Sequence, residues 1–285
     1  MKQRINKMFR NRWNGEIGKE VALQKKKLTI IAGPCMLETL ELGLKVGTFL
    51  QEQCLKNNVN YVFKASYDKA NRTSKGAVRG PGLEQGLQWL EKITQTLGAP
   101  ILTDVHTPEQ AIEAGKIVDI VQIPAFLCEQ RELLFAAAQT GKTIQIKKGQ
   151  HTSFEQTLIA GEYLEEIGNP KVILCERGSA FGYNNLVVDY RNMMEWRAQG
   201  FATVFDATHS AQLPGGGKGF SGGLRHVVPG LACAAVAMGV DGIFMEVHED
   251  PSKALSDAAT QLTFETAASL IRRLAHLHKA SIEAL

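Results

Sequence analysis

The chain has 285 residues, 44% of them hydrophobic, and a net charge of +3. That length and apolar share can bury the core of one α/β barrel or of two smaller domains. No apolar run reaches the ~18 residues of a membrane span, and the basic start lacks a signal peptide's apolar centre, so a cytoplasmic protein with no membrane partner is expected.

Charge is spread unevenly. Nine Lys and Arg against two Glu precede Leu28, which leaves the remainder net acidic. A basic terminal arm without a nucleic-acid motif reads as a solvated segment, so no nucleic-acid partner is expected. Residues 1–27 are therefore set apart as a basic N-terminal extension that covers or lengthens one end of the fold, and 28–285 as the main domain. Cys35, Cys54, Cys128, Cys175 and Cys233 show no CxxC or regular spacing, which speaks for reduced thiols.

From Leu28 onward short apolar strands alternate with segments of helical period. Strands are predicted at 28–33, 61–65, 101–105, 119–123, 143–147, 172–176, 203–207 and 242–246. Helices are predicted near 39–56, 83–97, 108–116, 129–140, 154–167, 188–199, 222–238 and 264–283. Thr107-Pro108-Glu109-Gln110 carries an N-cap hydroxyl, a proline at the first helical position and a capping-box Gln. Pro229 should kink the seventh helix or delay its start. Eight β/α units without a domain-sized interruption predict a single (β/α)₈ TIM barrel. A doubly wound sheet is the competitor, disfavoured by the missing GxGxxG turn. Residues 213–223 hold six glycines in eleven, too many to pack a core, and are read as a lid beside His209.

In a barrel, chemistry collects at the C-terminal ends of the strands. The predicted strand ends give Cys35; Lys64 to Ser74; Asp104 and His106; Gln122; Lys147 and Lys148; Glu176 and Arg177; Asp206 and His209; Glu246 and His248. Ionisable or hydrogen-bonding groups at all eight ends predict an active site. Cys35, His209, Glu246 and the later Asp257 form a thiol, imidazole and carboxylate set that suits a divalent transition metal such as Fe, Zn, Co or Mn. Each alone also reads as a buried thiol or a hydrogen-bonded core residue, so spacing leaves the metal open. The second group is cationic: Lys64, Lys69, Arg72, Lys147 and Arg177, with Asn71, Thr73, Asp104 and Gln122 nearby. Two phosphate monoesters and a carboxylate carry roughly −4 to −5, close to those five cations. The balance asks for two anionic substrates or one bisphosphate.

The stretches IAGPC (31–35), FKASYDKANRTS (63–74), RGPGLEQGL (79–87), ILTDVH (101–106) and VQIPAFLC (121–128) are distinctive. So are IKKGQ (146–150), ERGSAFGYNNLVVD (176–189), FDATHSAQLPGG (205–216), SGGLR (221–225) and MEVHEDPSKALSD (245–257). In these stretches the chain closely resembles the 3-deoxy-D-manno-octulosonate 8-phosphate synthase family, which condenses phosphoenolpyruvate with arabinose 5-phosphate on the way to lipopolysaccharide. The resemblance implies that Lys64 and Lys69 hold the phosphoenolpyruvate carboxylate. It implies that Lys147, Arg177, Gln122 and the backbone near Ala125 hold its phosphate. Ser66 joins the substrate-binding set. Asn71, Arg72 and Thr73 would bind the pentose phosphate, Arg72 and Thr73 at its phosphate, and Asp104 would touch the sugar. Cys35, where metal-free members carry Asn, implies the metal-dependent class with Cys35, His209, Glu246 and Asp257 as ligands. His209 and Asp257 would share proton transfers, with Lys69 and Cys35 also in the catalytic set. A homotetramer is implied by the likeness alone.

Departures from the family pattern are Thr73 where Ser is common, and the segments Lys75-Gly76-Ala77-Val78 and His151-Thr152-Ser153. The first segment bears on the sugar pocket. The rivals are a sister synthase that makes the seven-carbon 3-deoxy-arabino-heptulosonate 7-phosphate from erythrose 4-phosphate, a Schiff-base aldolase using Lys147 or Lys148, and a non-catalytic ligand-binding barrel. The intact Asn71 argues for the five-carbon sugar.

Overall fold

A computed structural model describes residues 15–17, 21–23, 27–70, 78–182, 184–215 and 222–283. Eight parallel strands close into a barrel: β1 (Thr29–Gly33), β2 (Asn60–Lys64), β3 (Ile101–Asp104), β4 (Ile120–Ile123), β5 (Thr143–Lys147), β6 (Val172–Glu176), β7 (Ala202–Asp206) and β8 (Gly242–Glu246). Each strand lies beside its sequence neighbours, and β8 pairs with β1 to complete the ring. Among the described residues eight helices of eight residues or more wrap the outside: α1 (Leu40–Lys56), α2 (Leu83–Leu97), α3 (Pro108–Gly115), α4 (Arg131–Gln139), α5 (Phe154–Glu166), α6 (Tyr190–Ala198), α7 (Val228–Ala237) and α8 (Phe264–Glu283). The TIM barrel read from the β/α alternation is the fold.

Local chemistry sets the helix starts. Thr107 accepts from the Gln110 backbone with Pro108 at the head of α3, and Ser153 with Gln156 forms a full capping box on α5. The seventh helix departs from its predicted start. Gly222–Gly223 pairs as a short strand with Gln212–Leu213, a 3₁₀ turn covers Arg225–Val227, and α7 begins only at Val228. Proline has no N–H to give, so Pro229 fits the first turn, where none is needed.

The barrel interior is layered. Val62, Leu102, Ile120, Val204 and Phe244 belong to the inner apolar cluster. Successive strand side chains alternate faces, so the inward residue two positions later is Lys64, Asp104, Gln122, Asp206 or Glu246. An apolar floor thus carries a polar upper layer at the C-terminal ends. Ile17 and Leu23, from the segment ahead of residue 28, join the same inner cluster fully buried, and Leu23 reaches Gly242 at the start of β8. Ile17 and Leu23 therefore fill the N-terminal end of the barrel. Gly33 is required where β1 passes β2: a Cβ there would lie 2.0 Å from the Lys64 carbonyl oxygen. Among the described residues no helix is long and apolar enough to cross a membrane.

Candidate active site

The register of β8 against β1 sets Glu246 beside Gly33, two residues before Cys35. Cys35 is fully buried, its Sγ 3.0 Å from Ser256 Oγ and 3.2 Å from Asp257 Oδ2. The ligand-capable atoms of Cys35, Glu246 and Asp257 all lie within 4.8 Å of one another. His209 Nε2 stands 3.6 Å from Glu246 Oε1 and 3.6 Å from Asp257 Oδ2. The structure thus brings the four predicted ligands to one corner, with three in a compact group and His209 against two of them. Asp257 holds a left-handed backbone at φ 45°, unusual for a residue with a Cβ, and its carbonyl accepts from Thr260 and Gln261.

The donor set fits a divalent cation. Glu246 Oε2 is buried with no hydrogen-bond partner among the described residues, an open acceptor on a carboxylate of this corner. Burial pushes the Cys35 thiol well up, and the charges of Asp257 and Glu246 raise it further, so a thiolate here calls for a cation between these groups. One thiol, one imidazole and two carboxylates form a set that Zn or a neighbouring first-row metal takes.

Asp206 reads in the sequence only as a strand end, yet it organises the middle of the site. It caps the turn Ala207–Ser210 by accepting from the His209 backbone, and its Oδ2 lies 2.7 Å from His209 Nδ1 and 2.5 Å from Lys147 Nζ. Burial opposes its charge, but His209 and Lys147 overcome that and hold the carboxyl far below the usual range. For His209, burial alone would lower the pKa; Asp206 and Glu246 reverse this and raise it. The signal for Asp206 was present as an Asp three residues ahead of a His, the spacing of an N-cap.

The cations ring the same opening. Lys64 Nζ donates to Glu246 Oε1 at 2.6 Å and to the Cys35 carbonyl at 3.1 Å. Lys69 donates to Ser66 Oγ at 2.9 Å; Ser66 donates in turn to Asp104, which lies 3.3 Å from His106 Nε2. Burial works against charge on Lys69, but Cys35, Glu246 and Asp104 win and raise its pKa. Phe244 forms a floor that sequence could not separate from ordinary core: Lys147 Nζ sits 4.0 Å and Lys64 Nζ 5.3 Å from its ring centre. Gln145 Nε2 donates to Gln122 Oε1 at 2.9 Å, so Gln122 accepts here through its oxygen. Arg177 is 3% exposed; its Nη2 donates to Gln212 Oε1 at 2.7 Å, while its buried Nη1 has no partner among the described residues. Ala125 begins a one-turn helix after Pro124, its carbonyl close to Gly149 of the KKGQ stretch. Asn71, Arg72 and Thr73, the altered residues 75–77, and 216–221 of the glycine-rich segment lie outside the described residues.

Chemically, the opening offers fixed cations for anionic groups beside a corner able to hold a metal ion. The sequence model of the DAHP synthetase I family matches residues 14–280. A protein of Desulfatibacillum aliphaticivorans named 2-dehydro-3-deoxyphosphooctonate aldolase is 51% identical over 255 residues, 89% of this chain and 93% of that protein. Proteins of the same name from Nitratidesulfovibrio vulgaris (strain DP4) and Koribacter versatilis are each 48% identical, covering 87% and 92% of this chain and 91% and 95% of their own. With matches of that extent and this barrel, the chain belongs to the DAHP synthetase I family, in its group of 2-dehydro-3-deoxyphosphooctonate aldolases.

Proposed function

We propose that this chain condenses phosphoenolpyruvate with D-arabinose 5-phosphate and water, giving 3-deoxy-D-manno-octulosonate 8-phosphate and inorganic phosphate for lipopolysaccharide synthesis. The observation that carries the reading is the convergence of Lys64, Lys69, Lys147 and Arg177 on one opening beside the Cys35, Glu246 and Asp257 corner. The relatives' shared name favours the eight-carbon product over the seven-carbon alternative and over a silent barrel.

C3 of phosphoenolpyruvate attacks the aldehyde carbon of the sugar. Water adds at the electron-deficient C2, and phosphate departs with cleavage of its C–O bond. Lys64 and Lys69 face the carboxylate, while Lys147, Arg177 and Gln122 face the phosphate. Fixed cations let two mutually repelling anions approach in reacting geometry, a gain of several kcal/mol over free encounter. Arg177 Nη1, without a partner among the described residues, is the donor available for that purpose. Asp206 holds His209 by Nδ1, so Nε2 is presented toward Glu246 and Asp257. Cys35, His209, Glu246 and Asp257 would hold the divalent metal, one of Fe, Zn, Co or Mn, which when bound supplies Lewis acidity to the sugar aldehyde or to water. His209 and Asp257 are placed to pass protons at this corner, and Ser66 with Asp104 to contact the sugar. Assembly as a homotetramer follows from family likeness.

The test is phosphoenolpyruvate labelled with ¹⁸O at the bridging oxygen, incubated with arabinose 5-phosphate. The label should leave in inorganic phosphate; label retained in the sugar acid would overturn this bond order.

A further inference from the structure

Behind the two phosphate-facing cations lies a second, buried ion pair that the proposed chemistry does not use. Strand alternation turns Lys147 into the barrel and its neighbour Lys148 away from it; likewise Cys175 points inward and Glu176 outward. Lys148 and Glu176 are both fully buried, with Lys148 Nζ 3.5 Å from Glu176 Oε1. Removing two charges from water is costly, and such a pair is kept where it fixes a geometry.

The geometry fixed here is the turn that carries Arg177. Glu176 Oε1 accepts from the Arg177 amide at 2.9 Å and from the Gly178 amide at 2.6 Å. Its other oxygen accepts from Asn192 Nδ2 of α6 at 3.0 Å. Lys148 Nζ donates to the Gly178 carbonyl at 3.1 Å, to the Gly149 carbonyl at 3.1 Å and to Ser179 Oγ at 2.9 Å. Gly178 is thereby held at both its N–H and its C=O, in a conformation with φ +88°. Arg177 is caught between two pinned peptides, and its guanidinium keeps one buried N–H free. The same Lys148 ties this turn to the loop after β5, which follows directly on Lys147.

We propose that Glu176 and Lys148, supported by Asn192, are positioning residues that lock the Arg177 turn and aim its free Nη1 at the phosphate of phosphoenolpyruvate. The inference rests on the proposed function, and its failure can be told apart from failure of that reading.

The experiment compares Glu176→Gln, Asn192→Ala, Arg177→Lys and the combination Glu176→Gln with Arg177→Lys, each in the full chain with the KM of both substrates measured separately. Displacing a positioned group by about 1 Å costs on the order of a hundredfold. Glu176→Gln should therefore lower kcat/KM for phosphoenolpyruvate roughly tenfold or more while the KM for the sugar stays put. Asn192→Ala should move the same constant in the same direction by less. In the Arg177→Lys background Glu176→Gln should add little, because both act through one side chain. Equal rises in the two KM values, or full additivity with Arg177→Lys, would overturn the proposal. Should Glu176→Gln fail to fold, Asn192→Ala alone and combined with Arg177→Lys decides by the same readings. If the wild type turns over neither substrate, the functional reading is what fails, and calorimetric binding of phosphoenolpyruvate to the same variants still tests the pair.

Discussion

Lys64 Nζ lies 2.6 Å from Glu246 Oε1, and both side chains are almost wholly buried. A cation assigned to substrate thus neutralises a carboxylate assigned to the metal corner, so the two halves of the site share one electrostatic balance. Removing one member of a buried pair leaves an uncompensated charge, which costs about 3–5 kcal/mol. In chelated protein, Lys64→Met should lose about that much in urea unfolding, and adding Glu246→Gln should restore a good part of it. A loss below about 1 kcal/mol for the single variant would mean the pair is not coupled as drawn.

Cys35→Ala removes the thiol but leaves the carboxylates and His209. Turnover should disappear both in this variant and in chelated wild type, and added divalent metal should revive only the latter. A Co(II)-loaded wild type should also show a thiolate-to-metal absorption band that Cys35→Ala lacks. Full activity of a metal-stripped wild type would refute the metal corner.

Asp206→Asn keeps the shape of the residue between His209 and Lys147 but removes its charge. The imidazole then loses the acceptor that holds its Nδ1–H, and kcat should fall about 10–100-fold, while the unfolding midpoint also drops because Lys147 and His209 lose their buried counter-charge. Steady-state kinetics beside a thermal melt checks this; an unchanged kcat would show that Asp206 is a structural cap only.

At the opposite end of the barrel, burial raises the Asp241 carboxyl, against a weaker pull from Arg197, to about 6. Its unfolded value lies near 4, so between about pH 4 and 6 the folded chain binds more protons than the unfolded one. Stability should therefore fall as pH rises through that window, by at most about 3 kcal/mol. The depressed carboxyls of Asp104, Asp206, Glu246 and Asp257 act in the opposite sense, losing stability as pH falls, and chiefly below about pH 4.5. The raised histidines His106 and His209 contribute stability that is lost only as pH climbs above about 6.5. Urea unfolding between pH 4.5 and 6 isolates Asp241: Asp241→Asn should flatten the slope, and an unchanged slope would remove the assignment.

The barrel was legible because eight short apolar segments alternate with helical ones, and closure then made the first and last strands neighbours. That closure is what brings Cys35 to Asp257 across 222 positions of sequence. Residue types at the strand ends and in the loop after the last strand pointed to one thiol, imidazole and carboxylate group, and the structure brings Cys35, Glu246 and Asp257 of that group together. What sequence could not show is how the groups pair. Lys64 was sorted with the substrate cations and Glu246 with the metal, yet they bond to each other. Phe244 reads as one more core aromatic until two lysines are found over it. Asp206, Lys148 and Glu176 look like members of a charged run, and only the alternation of strand faces sorts Asp206, which faces the barrel interior, from Lys148 and Glu176, which face away from it. The delayed start of α7 was visible in Pro229, while the pairing of Gly222–Gly223 with Gln212–Leu213 depends on contacts that no local pattern encodes.

The most direct test of the account is release of inorganic phosphate from phosphoenolpyruvate with each sugar phosphate in turn, with and without chelator. Arabinose 5-phosphate should support metal-dependent release with a kcat/KM well above that of erythrose 4-phosphate. Equal or faster release with the four-carbon sugar, or none with either, would contradict it.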